Sequence, residues 1–259
     1  MTAQKYDFAI AGGGLSGGLA ALALRRARPD LSVVLVEAGE SLGGNHRWSW
    51  FDADLPDGGA GLLAPLRKTE WNGGYDVAFP EYQRRLGGTY RSLASVDFDA
   101  GLRRELPAGA IRTRTRIEEI DGQGLTLPSG ERIAARAVID CRGFAPSPHL
   151  ACGWQVFMGR HLRTHAPHGI ERPVIMDATV AQLGGYRFVY VLPLGSHDIF
   201  VEDTYYADSP ELDRRALSSR IDEYCATRGW HGEILGHETG VLPVIIGVAL
   251  GAALSFPAR

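Results

Sequence analysis

The sequence predicts a two-part α/β fold, a parallel-sheet unit joined to a unit built on an antiparallel sheet. Three observations predict it. Residues 6–37, YDFAIAGGGLSGGLAALALRRARPDLSVVLVE, read as strand, glycine turn, helix, strand and acid. Residues 111–143 hold three strand-like runs parted by DGQG and PSGE. GYRFVYVLPL and IFVEDTYY are two apolar runs joined by GSHD, spanning residues 185–206.

Tyr6 to Ala11 forms the first strand, short and apolar. Gly12, Gly14 and Gly17 make G-x-G-x-x-G, with Gly13 and Leu15 completing the turn. Leu15 to Ala27 is Ala/Leu-rich and predicts a helix, which Pro29 and Asp30 break. Leu31 to Val36 is the second strand, ending at Glu37 and Ala38. Each part has a physical reason. Gly12 permits the tight turn, Gly14 lets backbone approach a pyrophosphate, and Gly17 lets helix and strand pack closely. The helix N-terminus presents N–H groups and partial positive charge to phosphates. Glu37, twenty residues after Gly17, can accept bonds from a ribose hydroxyl. The unit is a Rossmann-type dinucleotide-binding fold.

Of the two dinucleotides that use this turn, FAD is preferred over NAD. A second glycine pair, Gly43-Gly44, follows soon after the acid, in a loop able to reach a flavin end. Gly44, Asn45, His46 and Arg47 are the residues of this loop expected to face it. The runs of 111–143 predict a β-meander closing on Ala137 to Cys141 and Gly143, a pattern typical of FAD-binding folds of the GR2-like flavoprotein type.

With 259 residues, the chain suffices for one large or two modest domains. A net charge of −3 argues against a nucleic-acid partner. The three cysteines, Cys141, Cys152 and Cys225, form no C-x-x-C, which fits a reducing compartment without a disulfide framework or zinc site. The early glycine turn argues against a signal peptide. His161, His165 and His168 lack ligand spacing, so no metal is expected. Asp177 is open between a strand-end cap and a substrate-facing residue. Thr239 to Pro257 carries no charge, and the reading divides between a disordered or loosely packed tail and a membrane-inserting one weakened by Pro243, Gly247 and Gly251.

IFVEDTYY poses a chemical question. Side chains alternate along a strand, so Phe200, Glu202, Thr204 and Tyr206 share one face and Asp203 takes the other. Most strand acids are simply exposed. If the hairpin loop is even in length, Arg187 and Val189 join the Glu202 face; if odd, Phe188 and Tyr190 do. The second register suits a neutral acid, the first an ion pair.

The blocks AGGGLSGGLAALAL, LGGNHRWSW, ARAVIDCRG, HAPHGIERPVIMDATV, GYRFVYVLPL and VEDTYY together resemble the bacterial lycopene β-cyclases, from about residue 5 to Pro243. The resemblance implies bound FAD, working reduced by NADPH or NADH. It implies a carotenoid cyclase that turns the ends of lycopene into β-ionone rings, giving γ-carotene and then β-carotene without net redox change. Glu202 matches the essential carboxylate, with Trp48, Phe200, Thr204 and Tyr206 expected to line the substrate path. Burial among aromatic rings would raise its pKa and keep it protonated until a polyene end arrives. Trp48, Trp50 or Tyr186 would shelter the cation. Asp203 is expected to support the backbone or pair with an arginine.

The expected organisation follows from this resemblance. Residues 1–150 form the FAD domain with an inserted segment about 80–95, residues 151–243 the substrate domain, and 244–259 an off-family apolar tail. Members of the family usually continue for roughly another third, with a second flavin-contacting segment, so this chain alone is expected to show little activity. A cytoplasmic protein at the membrane surface is implied. The alternatives are a redox flavoprotein, such as a hydroxylase or polyene reductase, and a non-catalytic nucleotide-binding remnant.

Overall fold

A computed structural model describes residues 5–145 and 147–248. The chain divides into two compact units, Met1–Glu70 with Thr89–Gly143, and Trp71–Gly88 with Phe144–Arg259.

The first unit opens with β1 (Tyr6–Ala11), α1 (Leu15–Ala27) and β2 (Val33–Val36). It continues with β3 (Arg47–Phe51), α2 (Gly59–Leu63) and β4 (Thr69–Trp71), whose last residue begins the second unit. The chain passes through β5 (Tyr75–Phe79) and β6 (Tyr82–Leu86) of the second unit. It returns as β7 (Tyr90–Ala94), α3 (Ser95–Glu105), β8 (Ile111–Arg112), β9 (Glu119–Asp121), β10 (Gly124–Thr126) and β11 (Arg132–Asp140). The main sheet has the order β8-β2-β1-β11-β10-β9, parallel through its first four strands and antiparallel beyond. β3, β7 and β4 form a small separate sheet.

The core between α1, α3 and the main sheet is Ile10, Leu22, Leu35, Leu42, Phe98 and Leu102. Gly18 lets α1 close on this core: a Cβ there would stand 2.4 Å from Phe98 and 2.5 Å from Leu102.

The second unit holds one seven-stranded sheet, β16-β12-β15-β14-β13-β5-β6. Its remaining strands are β12 (Leu150–Thr164), β13 (Val174–Asp177), β14 (Arg187–Pro193), β15 (Asp198–Ala207) and β16 (Gly232–Val248). All neighbours are antiparallel except β13 and β5. α4 (Arg214–Ala226) is capped by Asp213, whose carboxylate accepts the Ala216 N–H at 2.9 Å. It lays Leu217, Ile221 and Tyr224 on one face of the sheet, against Val156, Met158, Val189 and Val201.

The structure corrects four sequence expectations. The second strand begins at Val33, two residues late. The first of the three meander runs splits: Ile111–Arg112 joins the parallel sheet beside β2, where Ala110 O and Arg112 O accept from Leu35 N and Glu37 N at 2.7 and 2.8 Å. Only β9, β10 and β11 form the meander. The insertion expected at about 80–95 is residues 71–88, and the first unit ends at Gly143, because β5 pairs with β13 and β7 returns beside β3.

The off-family tail was expected to start at 244, yet β16 runs to Val248 paired with β12. Val244, Ile245 and Ile246 are β-branched and favour a strand. Residues 249–259 of that tail lie outside the described residues. Among the described residues, no helix is long and apolar enough to cross a membrane.

Candidate functional site

The glycine turn of the first unit assembles as its spacing requires. Gly12 adopts φ +98°, and a Cβ there would stand 2.5 Å from Cys141 O. A Cβ on Gly17 would stand 2.0 Å from Gly12 O, so only glycine lets α1 lie this close to β1. Gly14 differs: nothing lies within 4 Å of the Cβ position. It caps α1 without any side-chain bond, and no acid occupies the first turn that Leu15 begins. The result is an open pocket of backbone N–H groups at a positive helix end, the room a pyrophosphate needs.

Glu37 sits at the end of β2. Its Oε2 accepts from Gly13 N and its Oε1 from Gly39 N, both at 2.7 Å. Two backbone donors thus fix the carboxylate, while a carboxylate's four lone-pair sites leave room for a ribose. Gly43 N donates to Gly13 O at 2.8 Å, which ties the second glycine loop to the first. Ala38, Gly44 and Asn45 are exposed, with Gly44 at φ +60°. His46 is half-buried, its imidazole pushed below the ordinary value by burial. Trp48 packs against the core of its own unit, its ring 5.2 Å edge-on from Phe98.

The acidic strand of the second unit is β15, and its register with β14 is the odd-loop one. Tyr190 stands opposite Glu202, Phe188 opposite Thr204, and Arg187 opposite Tyr205. Each acid thereby gets the surroundings suited to it. Asp203, 1% exposed, faces α4 and holds Arg187 through two bonds of 2.7 and 3.1 Å. Burial raises its pKa and the guanidinium opposes the rise.

Glu202 faces the other way, toward Phe188, Tyr190 and Phe200. Phe188 and Phe200 are buried. Tyr206 was expected to complete this apolar setting, but it is exposed and stacks on Tyr186 at 6.3 Å. Thr204, fully buried, donates to Glu202 Oε1 at 2.9 Å. Glu202 lies deep in the protein yet keeps an accessible edge. Burial pushes its carboxyl up to about 7, opposed by hydrogen bonds from Thr204 and Glu238.

Glu238 is the residue the sequence reading missed. It lies in HETG on β16, buried, opposite Gly159 of β12; Glu202 is opposite Gly159 from the other side. Glu202 and Glu238 therefore share one face with only a glycine between them. No local motif marks this. The signal is a register spanning three strands.

A stability consequence follows for Glu202. The native state keeps the extra proton between 4.5 and about 7, so stability falls as pH rises through that window. The difference corresponds to about 3 kcal/mol, at about 1.4 kcal/mol per pH unit. Glu202→Gln cannot ionise. It is expected to match the parent near pH 4 and exceed its stability at pH 8, as urea unfolding at the two values would register. An equal gain at both values would contradict the buried-acid assignment.

Asp177 proves a strand-end cap and packing centre. Its Oδ1 accepts Thr179 N at 3.1 Å and its Oδ2 accepts Tyr224 OH at 2.7 Å and Arg228 Nη2 at 2.8 Å. His168 bridges Gly195 O at 2.6 Å and Ile170 N at 3.1 Å. Among the described residues, no cluster of His, Cys, Asp or Glu has the arrangement of a metal site.

A glycine-turn parallel unit with a meander, joined to a large mostly antiparallel sheet, defines the flavoprotein fold. The chain shares it with a geranylgeranyl bacteriochlorophyll reductase-like protein from Thermoplasma acidophilum (TM-score 0.65, 15% identity, 93% of this chain and 66% of that one). A flavin-dependent halogenase from Xanthomonas campestris gives TM-score 0.62 at 16% identity, over 93% of this chain and 62% of that one. Within that class the chain belongs to the lycopene cyclase protein family, whose pattern matches residues 7–259. Lycopene β-cyclase of Paracoccus sp. (strain N81106 / MBIC 01143) is 44% identical over 94% of this chain. That of Pseudescherichia vulneris is 42% identical over 93%. The chain spans 62% of the length of each of these relatives.

Proposed function

We propose that this chain carries the FAD-binding turn and the proton-delivering acid of a lycopene β-cyclase, acting on the apolar polyene lycopene. The observation that carries the reading is a carboxyl set deep on an aromatic strand face, where burial favours its protonated form, in a chain of this family. An ionised carboxylate has no proton to give, and Glu202, whose carboxyl burial raises to about 7, keeps one in about half of the molecules at neutral pH.

The Gly12–Gly17 turn fits the pyrophosphate and Glu37 the ribose, with Gly44, Asn45 and His46 in the loop toward the flavin end. FAD held there, reduced by NADPH or NADH, supplies negative charge that favours a cation. The chain's own residues do the rest. Glu202 gives its proton to the terminal C=C. The neighbouring double bond closes the ring on the resulting tertiary cation, and loss of a ring proton leaves the β-ionone ring. Phe188, Tyr190 and Phe200 exclude water from this path; an aromatic face beside a cation is worth about 0.5–2 kcal/mol. A substrate that dissolves in bilayers makes a cytoplasmic protein at the membrane surface part of this reading.

The test is expression in lycopene-accumulating cells of this chain, and of this chain extended by the last third of a family member. The extended chain is expected to make γ-carotene and β-carotene of unchanged mass, and this chain alone much less. A product heavier by oxygen or hydrogen would favour a hydroxylase or polyene reductase instead, chemistry of the kind named for several proteins that share the fold.

A further inference from the structure

We propose that Glu202 and Glu238 work as one acid–base unit, a carboxyl–carboxylate pair over Gly159 that gives one proton to the substrate and takes one back. The inference rests on the cyclase reading for its substrate, but not for its proton count.

The geometry comes from register. β15 and β16 flank β12, and Glu202 and Glu238 both stand opposite Gly159. Their backbones lie two strand spacings apart, about 10 Å, a span that two extended glutamate side chains can bridge. Gly159 puts no side chain of its own between them. A Cβ on it would also lie 2.2 Å from the Phe200 ring, which covers the glycine and sets an aromatic face beside the pair. Phe157 does the same over Gly240, 2.2 Å from its Cβ position, one pair of residues along. The two acids thus meet on a strip kept apolar by two phenyl rings.

The closeness of the two carboxyls, both opposite Gly159 on one face, bears on the proton count. Two carboxylates have no donor to offer each other, so a bonded pair holds at least one proton. Two buried like charges cannot both ionise cheaply, so the last proton is retained. The other titratable and charged groups are few. Tyr190 faces Glu202 from β14, and His161 lies on the same face of β12, with Nε2 3.7 Å from Asp198. Asp203 adds a like charge from the opposite face but is paired with Arg187. From β16, Gly236 and Gly240 flank Glu238 and bring no charge.

Ring formation needs this count. One C–H bond forms at the terminal C=C, one C–C bond closes the ring, and one C–H bond breaks on the ring; no electrons are gained or lost. A pair that enters with one proton becomes a dianion only while the substrate is a cation. The returning ring proton restores it. Glu238 is a positioning residue in this scheme: it holds Glu202 in place and shares its charge after transfer.

Infrared titration of the carboxylic-acid C=O band in the purified 259-residue chain tests the pair. The parent is expected to lose the pair's protons in two separated steps. Glu238→Gln should leave a single Glu202 step, and the Glu202→Gln, Glu238→Gln double variant none. A single step in the parent, which requires no variant to fold, or an unchanged Glu202 step in Glu238→Gln, overturns the proposal. In the family-length chain, Glu238→Gln should lower the rate about a hundredfold, the size of a 1 Å misplacement, and move the alkaline limb of the pH profile; Glu238→Asp should restore part of both. A normal rate and profile in Glu238→Gln would sink the pair while the cyclase reading stood. Two-step titration in a protein whose extended form closes no rings would sink the cyclase reading while the pair stood.

Discussion

Glu202→Gln, in a chain extended to family length, is expected to make β-carotene about a hundred to ten thousand times more slowly than the parent while retaining flavin. That range is the usual worth of one general acid. The substitution keeps size and hydrogen bonding, including the bond from Thr204 at 2.9 Å, and removes only the transferable proton. Glu202→Asp should also be poor, because one methylene less draws the acid back by about 1 Å, enough for about a hundredfold loss.

Asp203 supplies the contrast. It is adjacent in sequence but turned to α4, bonded twice to Arg187 and 1% exposed. Asp203→Asn should cost stability, about 3–5 kcal/mol for breaking a buried pair, and reduce the rate less than Glu202→Gln. Near-normal β-carotene from Glu202→Gln, measured by pigment extraction with equal protein and bound flavin, would mean that the proton comes from elsewhere.

The different fates of these neighbours show what a sequence can reveal. Alternation along a strand puts Glu202 and Asp203 on opposite faces, so their separation was legible at once. Their surroundings were not. The length of the hairpin loop decides whether Arg187 or Tyr190 meets Glu202, and GSHD allows both. The glycine turn was legible because its spacing is local, even though the close approaches that demand Gly12 and Gly17 include Cys141 and Arg142, just beyond β11, as well as Gly12 O. Glu238 lies at the other extreme. It reaches Glu202 through two strand registers and 35 intervening positions, and HETG has no meaning until β16 is laid on β12. The boundary of the first unit failed for a similar reason. Residues 71–88 read as ordinary strand and turn, and only the pairing of β5 with β13 assigns them to the second unit. The strand character of 244–248 was present in its β-branched residues, but Pro243, Gly247 and the uncharged composition read instead as a disordered or loosely packed tail, or a membrane-inserting one.

Gly14→Val is expected to abolish flavin binding and leave the fold intact, whereas Gly17→Val should destroy both. The backbone explains the first result. Gly14 has φ −69° and ψ −174°, extended values that valine adopts readily. Nothing stands within 4 Å of its Cβ position, so the free protein has room for a side chain. That room is where a pyrophosphate would approach the N-terminus of α1, and an isopropyl group would fill it and cover the N–H groups. Unfolding free energy should therefore change by about 0.5 kcal/mol or less, the ordinary range for a substitution that touches nothing.

Gly17 has no such latitude. Its Cβ would stand 2.0 Å from Gly12 O and 3.3 Å from Cys141 Cβ, so α1 would have to leave the sheet. A loss of about 4 kcal/mol or more, the scale of severe core overpacking, is expected. Urea unfolding and flavin fluorescence on the same preparations separate the two variants. A stable Gly14→Val protein that binds flavin as tightly as the parent would show that the pyrophosphate does not lie over this turn, and the cofactor assignment would have to move elsewhere.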